Sequence, residues 1–517
     1  MSYSGGTYQI PCERGGLTAN PNIDAVKPEM MVIARNINLN ENGRGLRGGT
    51  AHVNATAITG TPRIMGIYDF WLLNGTQKLV TATTDGKVYS DYTTEIKTGL
   101  TTAKHTSFEI FDNTLYITNG ANIPQTWNGV AASTSNLTNV PTDWTGSAYP
   151  KQFIKHGRGN SERLWAYLNN TVYASANGTD DFSDANVTTI NIETSDGQGI
   201  VGAVEFQDRL LAFGKRKAYI IDDADYSTAN WGYEAAAWEG GVAHHRLIVK
   251  TPNDIICMTE DGDIYSVTAV QQYGDYKQAS LVRPSFMDKW IRDNVRLSYV
   301  ADFHATYDPE LRAIKFFVVR NGKTTVDTAL VFFIDRPLEE AWTIHDNQTN
   351  ASGYSASCSC IYRKDPPEHH RIYIYTGDYS GFVWDLEETN TNDNSLAYYG
   401  GFKTSHLSFD DPRVSKKYMR GWLTTRPQGA YDVYISWWVD GVKQTTKTVS
   451  LAGSGVALDT FLLDTDSLGG SDVIDTAFSL GTIGKRIQFE VYNGNVNETF
   501  FVSRLSVDFK PLSNRPS

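Results

Sequence analysis

Two stretches far apart in the chain carry nearly the same octet, Thr83-Thr84-Asp85-Gly86-Lys87-Val88-Tyr89-Ser90 and Thr259-Glu260-Asp261-Gly262-Asp263-Ile264-Tyr265-Ser266. Asp-Gly is the strongest short-range signal for a β-hairpin. A type I′ turn needs φ > 0 at both central residues, which Asp tolerates and Gly adopts without steric cost. The apolar residue and tyrosine that follow begin a returning strand. A hairpin that recurs along a long chain predicts repeated sheets, and such folds serve lectins, enzymes and inert rings alike.

Other strand–turn–strand passages recur at 108–117, 164–173, 204–213, 314–322 and 372–384. Aromatic residues make up 12% of the chain, glycine occurs 44 times, and helical periodicity is scarce. Radial repetition explains many short strands with few crossover helices better than one large sandwich or several small sheets does. The expectation is an all-β chain. It comprises an extended N-terminal segment (1–58), a β-propeller of about six or seven blades (59–388), and a C-terminal antiparallel β-sandwich (396–517). The last is read from the alternation in Ile487–Tyr492 and Phe501–Phe509. One helix is expected near 285–295, with a capping-box start at Ser285 and Asp288 and an apolar face of Phe286, Met287, Trp290 and Ile291.

At 517 residues the chain can bury a large core, and its formal charge is −12. No basic stripe of the kind that grips phosphates is present, which argues against a nucleic-acid clamp. The start Met1-Ser2-Tyr3-Ser4-Gly5-Gly6 does not read as a secretory signal. The longest apolar run, Ala329–Ile334, is strand-sized, so no membrane-spanning segment is expected. Four cysteines do not form a disulfide scaffold, and a reducing cytoplasm is the simplest site of synthesis.

No phosphate loop, zinc-protease helix or serine-hydrolase elbow occurs. Cys358-Ser359-Cys360 with His369-His370 invites a zinc reading, but C-x-C lacks the usual structural spacing. The acids Asp180-Asp181, Asp222-Asp223-Ala224-Asp225 and Asp410-Asp411 could serve glycoside chemistry or calcium; solvated turn acids are the simpler reading. The expectation is therefore no catalytic, cofactor or metal residue and no enzyme. The alternative is a carbohydrate-binding or carbohydrate-degrading propeller, lectin-like or tailspike-like, with Asp222 as its test residue.

The first fifty residues are more specific. Gly15-Gly16-Leu17-Thr18-Ala19-Asn20-Pro21, then Ala34-Arg35-Asn36-Ile37-Asn38-Leu39, then Gly43-Arg44-Gly45-Leu46-Arg47-Gly48-Gly49-Thr50 resemble the opening of tail hub or nozzle proteins of short-tailed bacteriophages. In those proteins an Arg-Pro-Gly ending is usual, and here Arg47-Gly48-Gly49 replaces it. The resemblance implies a non-enzymatic virion protein of the phage tail, made in the host cytoplasm. It would form a ring, typically a homohexamer, below the portal and adaptor, continue the DNA-ejection channel, and dock tail fibre or plug proteins. Double-stranded DNA would pass without being trapped, which suits the acidic balance. Arg35, Arg44, Arg47 and Trp290 are the candidate subunit or adaptor contacts, the arginines through bidentate pairing with acidic groups.

Overall fold

The protein is described from a computed structural model, which covers residues 6–512 except 158–160, 195–196, 271–274, 347–352, 365–371, 410 and 453–472. His369, His370 and Asp410 lie outside the described residues. Strands dominate, and the described α-helix, α1, spans Met287–Asn294.

Between residues 64 and 388 the strands fall into consecutive antiparallel units, six of four strands and a last one of three. The strand that completes the last comes from the other end of the sequence. Gly49–His52 pairs with Val383–Glu388, so an N-terminal strand is the outermost member of a sheet begun at Cys358. Each unit's first strand neighbours the first strand of the next. That of the seventh, Cys358–Arg363, neighbours that of the first, Ile64–Trp71. A closed ring of antiparallel sheets, with first strands innermost, is the plan of a β-propeller.

The twin octets occupy the same place in two of these units, the connection between second and third strands. Their turn differs from the type I′ expectation. Gly86 N–H donates to Thr83 C=O and Thr83 N–H to Lys87 C=O, a pattern repeated at Gly262, Thr259 and Asp263. Only the glycines have positive φ, +78° and +83°. The aspartate keeps an ordinary conformation, and the glycine carries the bulge that lets the strand return. The type I′ geometry appears instead between first and second strands. There Asp112-Asn113 and Gln207-Asp208 hold φ of 45° to 61° at both central residues.

Helix α1 links the fifth unit to the sixth. It begins without the expected capping box: Phe286 precedes it in the left-handed region (φ 60°) with no side-chain cap, and Ser285 Oγ donates to Val282 C=O. Met287 and Ile291 are buried, and Ile291 lies against Gly262 of the second octet.

The N-terminal segment is not a free extension. We label its strands β1 (Gly6–Pro11), β2 (Met31–Arg35), β3 (Ile37–Asn40), β4 (Gly43–Leu46) and β5 (Gly49–His52). β1 and β4 both pair with Phe501–Pro511, and β3 pairs with β4. β2 pairs antiparallel with Gly400–Thr404 and parallel with Trp342–Asp346, the last strand of the sixth unit. Every N-terminal strand therefore belongs to a sheet that also holds residues beyond 340, or pairs with one. The C-terminal residues contribute to two sheets, one through Lys416–Thr425, Ile474–Gly484 and Phe501–Pro511, the other through Gly400–Thr404, Asp432–Val439 and Ile487–Asn493.

The alternation read in Ile487–Tyr492 holds: Ile487, Phe489 and Val491 are buried, and Tyr492 stacks between Tyr399 and Tyr434 on the other face. In Phe501–Phe509 it breaks. Val502 and Leu505 are both buried because a register shift between Thr424 and Thr425 inserts an extra residue. One apolar cluster runs from Ile10 and Leu17 through the fifth and sixth units to Phe489 and Val507, so no solvent boundary separates the C-terminal sheets from the ring.

Candidate functional site

Three of the four sequence-selected contacts lie where the N-terminal strands meet the last two units. Arg47 is fully buried and makes a fork with Asp393 (Nη1–Oδ1 2.9 Å, Nη2–Oδ2 2.7 Å). It also donates to Asn36 Oδ1 and the Gly48 carbonyl, between the rings of Tyr354 and Tyr398 at 4.5 and 4.0 Å. Burial alone would lower its guanidinium, but the Asp393 charge outweighs that and the net direction is upward. Arg44 is also fully buried. It donates to the backbone carbonyls of Arg14 and Glu29 and lies over Phe402. A side chain without accessible surface cannot reach a neighbouring subunit, so the intersubunit reading of Arg44 and Arg47 gives way to an architectural one. Arg35 is half-buried, paired with Asp346 at 2.5 Å. Trp290 is half-buried on α1 and packs against the main core.

Beside Arg47 lies a second buried ionic group that sequence reading passed over. Lys315, in the fully buried strand Ala313–Val318, contacts Asp308 (2.9 Å) and Glu387 (3.1 Å). Glu387 further accepts from Asn38 Nδ2, Gly48 N–H and the Tyr354 hydroxyl, and His345 lies 3.3 Å away. Burial would raise the Glu387 carboxyl, yet Lys315, His345 and Tyr354 hold it well below the ordinary carboxylate range. One signal was available: a lysine inside Ile314-Lys315-Phe316-Phe317 must find a carboxylate when that strand is buried on both faces. Together the two groups fasten β3 to β5 onto the sixth and seventh units.

A different cluster closes the centre of the ring. The residues that precede the first strands reach across the axis. Arg63, before the first unit, bonds Asp302, before the sixth, at 2.7 Å. His105, before the second unit, lies 3.4 Å from the same oxygen. Ser107 of the second unit bonds His245, before the fifth, at 2.8 Å. Because these pairs join non-adjacent units, side chains span the axis at this level. A duplex whose major groove alone is about 12 Å wide cannot thread it.

The third feature is a cleft of 910 Å³ between the third and fourth units, where Asp222, Asp223, Asp225, Arg163, Trp231 and Tyr226 lie. Trp231 stacks on Trp165 at 5.4 Å with Arg163 over it, and Asp223 lies 3.0 Å from the buried His156. The acids are partly committed to turns. Asp225 accepts from Ser227 N–H and Asn230 Nδ2, bonds that lower its carboxyl. Elsewhere Asp180 accepts from Tyr116, and Asp411 pairs with Arg413. Cys358 and Cys360 share one strand as free cysteines, with burial pushing the Cys358 thiol up to about 11. Among the described residues no three His, Cys, Asp or Glu side chains gather as metal ligands.

No protein-family model matches the chain, and no curated sequence is significantly similar to it. Solved structures that resemble it include the WD40 domain of Pan2 from Neurospora crassa, at 10% identity and a TM-score of 0.36 over 66% of this chain and 95% of that one. BBS1N, in a complex with ARL6DN, gives 10% identity and 0.40 over 68% and 98%. U3-55K gives 6% identity and 0.41 over 66% and 98%. Among the described residues no helix is long and apolar enough to cross a membrane.

Proposed function

We propose that the chain is a structural, non-enzymatic virion protein: the tail nozzle or hub of a short-tailed bacteriophage, assembled as a ring, typically six copies, at the distal end of the tail. In this reading the units are the blades of one seven-bladed propeller, closed by β5, and the sheets built from both chain ends are a β-sandwich. One observation carries the proposal. Residues of the N-terminal motif tie the two chain ends to the ring, namely Asn36, Asn38, Arg47 and Thr50, while Arg44 holds the N-terminal segment itself together through the Arg14 and Glu29 carbonyls. A motif used this way specifies one architecture rather than a loose Gly/Asn-rich loop, which supports the family resemblance.

The bridged axis adds a constraint. A DNA conduit must lie between copies, so the channel exists only in the assembled ring. Net negative charge on its wall would let the duplex slide without being held. Adaptor proteins above and fibre or plug proteins below are the partners of such a ring. Native mass measurement with negative-stain imaging, alone and with the portal and adaptor, tests the proposal. Closed rings that stack on the adaptor are expected. A strictly monomeric chain that never joins those rings would overturn it.

A second reading, a carbohydrate-binding propeller, draws on the cleft, where Asp222 and an exposed Tyr226 lie beside Trp231. Aromatic faces suit sugar stacking and acids suit glycosidic chemistry. Host polysaccharide binding or cleavage that Asp222→Asn abolishes would favour it over the structural role.

A further inference from the structure

We propose that copies of this chain meet head to tail, the outer face of the sheet built from both chain ends receiving the loop 222–227 of the next copy. The inference rests on the ring reading above and names the two surfaces that would build the ring.

The first surface is a set of cations, scattered in the sequence, that strand pairing brings together. In Lys416–Thr425 the buried Tyr418 and Leu423 face the core, so Lys417, Arg420 and Trp422 face outward. In Phe501–Pro511 Leu505 and Val507 face the core, which turns Arg504, Asp508 and Lys510 to the same outer face. Arg426 follows in line, over the ring of Phe501 at 4.6 Å. Among the described residues none of these five cations has a carboxylate within ion-pair distance. Lys417 and Lys510 are direct cross-strand partners, a pairing of like charges that costs stability unless an anion faces it. The acids on this face are Asp475 and Asp508, and neutral donors already occupy them. Thr424 donates to Asp475, while Thr7 and Trp422 donate to Asp508, although Asp508 lies opposite Arg420 in the register. Exposed Met419 and Ile483 and the half-buried Trp422 add apolar area.

The second surface is complementary. The loop 222–227 carries Asp222 and Asp225 beside a fully exposed Tyr226. Among the described residues neither acid has a cationic partner. Tyrosine, tryptophan and arginine are the side chains that most often anchor a protein interface, so Tyr226 suits a face that presents Trp422 and Arg420. In a chain of formal charge −12, a positive face also steers an incoming copy into one orientation. The two surfaces lie apart on one copy. The N-terminal strands are tied to the sixth and seventh units, whereas the loop belongs to the fourth. Contact between two different patches is heterologous, and it generates a ring when the rotation closes.

Analytical ultracentrifugation of the full chain, alone and with the portal and adaptor, tests the interface. Wild type is expected to form closed rings that loosen at high salt, where the screening length falls to about 3 Å. Lys417→Glu/Arg420→Glu on the sheet and Asp222→Lys/Tyr226→Ala on the loop should each weaken association about a hundredfold or more. Each double variant keeps one intact surface, so a mixture of the two should give one-to-one dimers and no rings. That pairing also shows that both variants are folded. Rings that persist in either variant overturn this interface and leave the ring reading standing, whereas a monomeric wild type overturns both. Two monomeric variants that fail to pair overturn the interface as well. So does a short DNA duplex that wild type retains and the sheet variant releases, which would assign the basic face to nucleic acid.

Discussion

Replacing Arg47 by methionine should destabilise the protein by about 4 kcal/mol, and the structure shows where that figure comes from. The Asp393 carboxylate, like the Arg47 side chain, has no accessible surface. Once the guanidinium is removed, a buried negative charge keeps only the Thr50 hydroxyl of the partners described above. Breaking a buried ion pair from one side costs about 3–5 kcal/mol. Loss of the guanidinium from between Tyr354 and Tyr398 adds about 1 kcal/mol, and the methionine side chain, which packs in the same slot, returns a similar amount. The double variant Arg47→Met/Asp393→Leu should recover most of the loss, because an apolar pair of similar volume carries no stranded charge. Urea unfolding followed by tryptophan fluorescence measures both, and limited proteolysis reports release of the N-terminal strands. A single variant within about 1 kcal/mol of wild type would refute the reasoning, as would a double variant no more stable than the single.

Lys315→Met should cost about 3–5 kcal/mol and move acid unfolding to higher pH, since Glu387 would lose the main charge that keeps its carboxyl low. A depressed carboxyl contributes stability that is lost as the pH falls through its folded value, and raising that value brings the loss earlier. Glu109→Gln should act with the opposite sign. Burial pushes the Glu109 carboxyl from 4.5 to about 7, so its contribution is complete below pH 4.5 and is lost as the pH rises through 7. The variant should therefore be more stable than wild type at pH 8, by up to about 3 kcal/mol, and equal at pH 4, read from urea midpoints. Gly49→Ala would bring a Cβ within 2.1 Å of the Asn392 carbonyl; a loss of about 1–3 kcal/mol and earlier cleavage of β5 in limited proteolysis are expected. Removal of residues 1–52 should leave a chain that aggregates instead of folding, scored by size-exclusion chromatography. It deletes the fourth strand of the seventh unit and two partners of Phe501–Pro511, β1 and β4.

Local chemistry was legible in the sequence, and closure was not. The octets announced hairpins correctly because a glycine after an aspartate acts over four residues, although the backbone used a bulged turn in place of type I′. Alternation in Ile487–Tyr492 identified its buried face for the same local reason. The bulge in Phe501–Pro511 escaped because it is set by the partner strand, where Thr424 and Thr425 shift register. The helix near Met287 was found by the apolar spacing of Met287, Trp290 and Ile291. Phe286, assigned to the same face, precedes the helix and is 41% exposed, and the start was misjudged. Ser285 is 1% exposed and spends its hydroxyl on Val282, while its carbonyl accepts from Thr18. A contact made 267 residues away overrides a capping preference of about 1 kcal/mol.

The arginines of the N-terminal motif show how a correct pattern can carry a wrong assignment of role. Arginine in a glycine-rich segment suggests an exposed fork awaiting an acidic partner, and the forks do find acids or carbonyls. Their partners are intrachain: Asp393 for Arg47, Asp346 for Arg35, the Arg14 and Glu29 carbonyls for Arg44. A ring of repeated sheets explains why. The last sheet has an open edge until a strand from the other end of the chain fills it. The strand that does so must be held by more than its own few backbone hydrogen bonds. The buried pairs supply that hold and fix one register, since a one-residue slip would leave Arg47 and Asp393 both charged and unpaired in the interior. Specificity of closure, more than net stability, is therefore what the motif contributes.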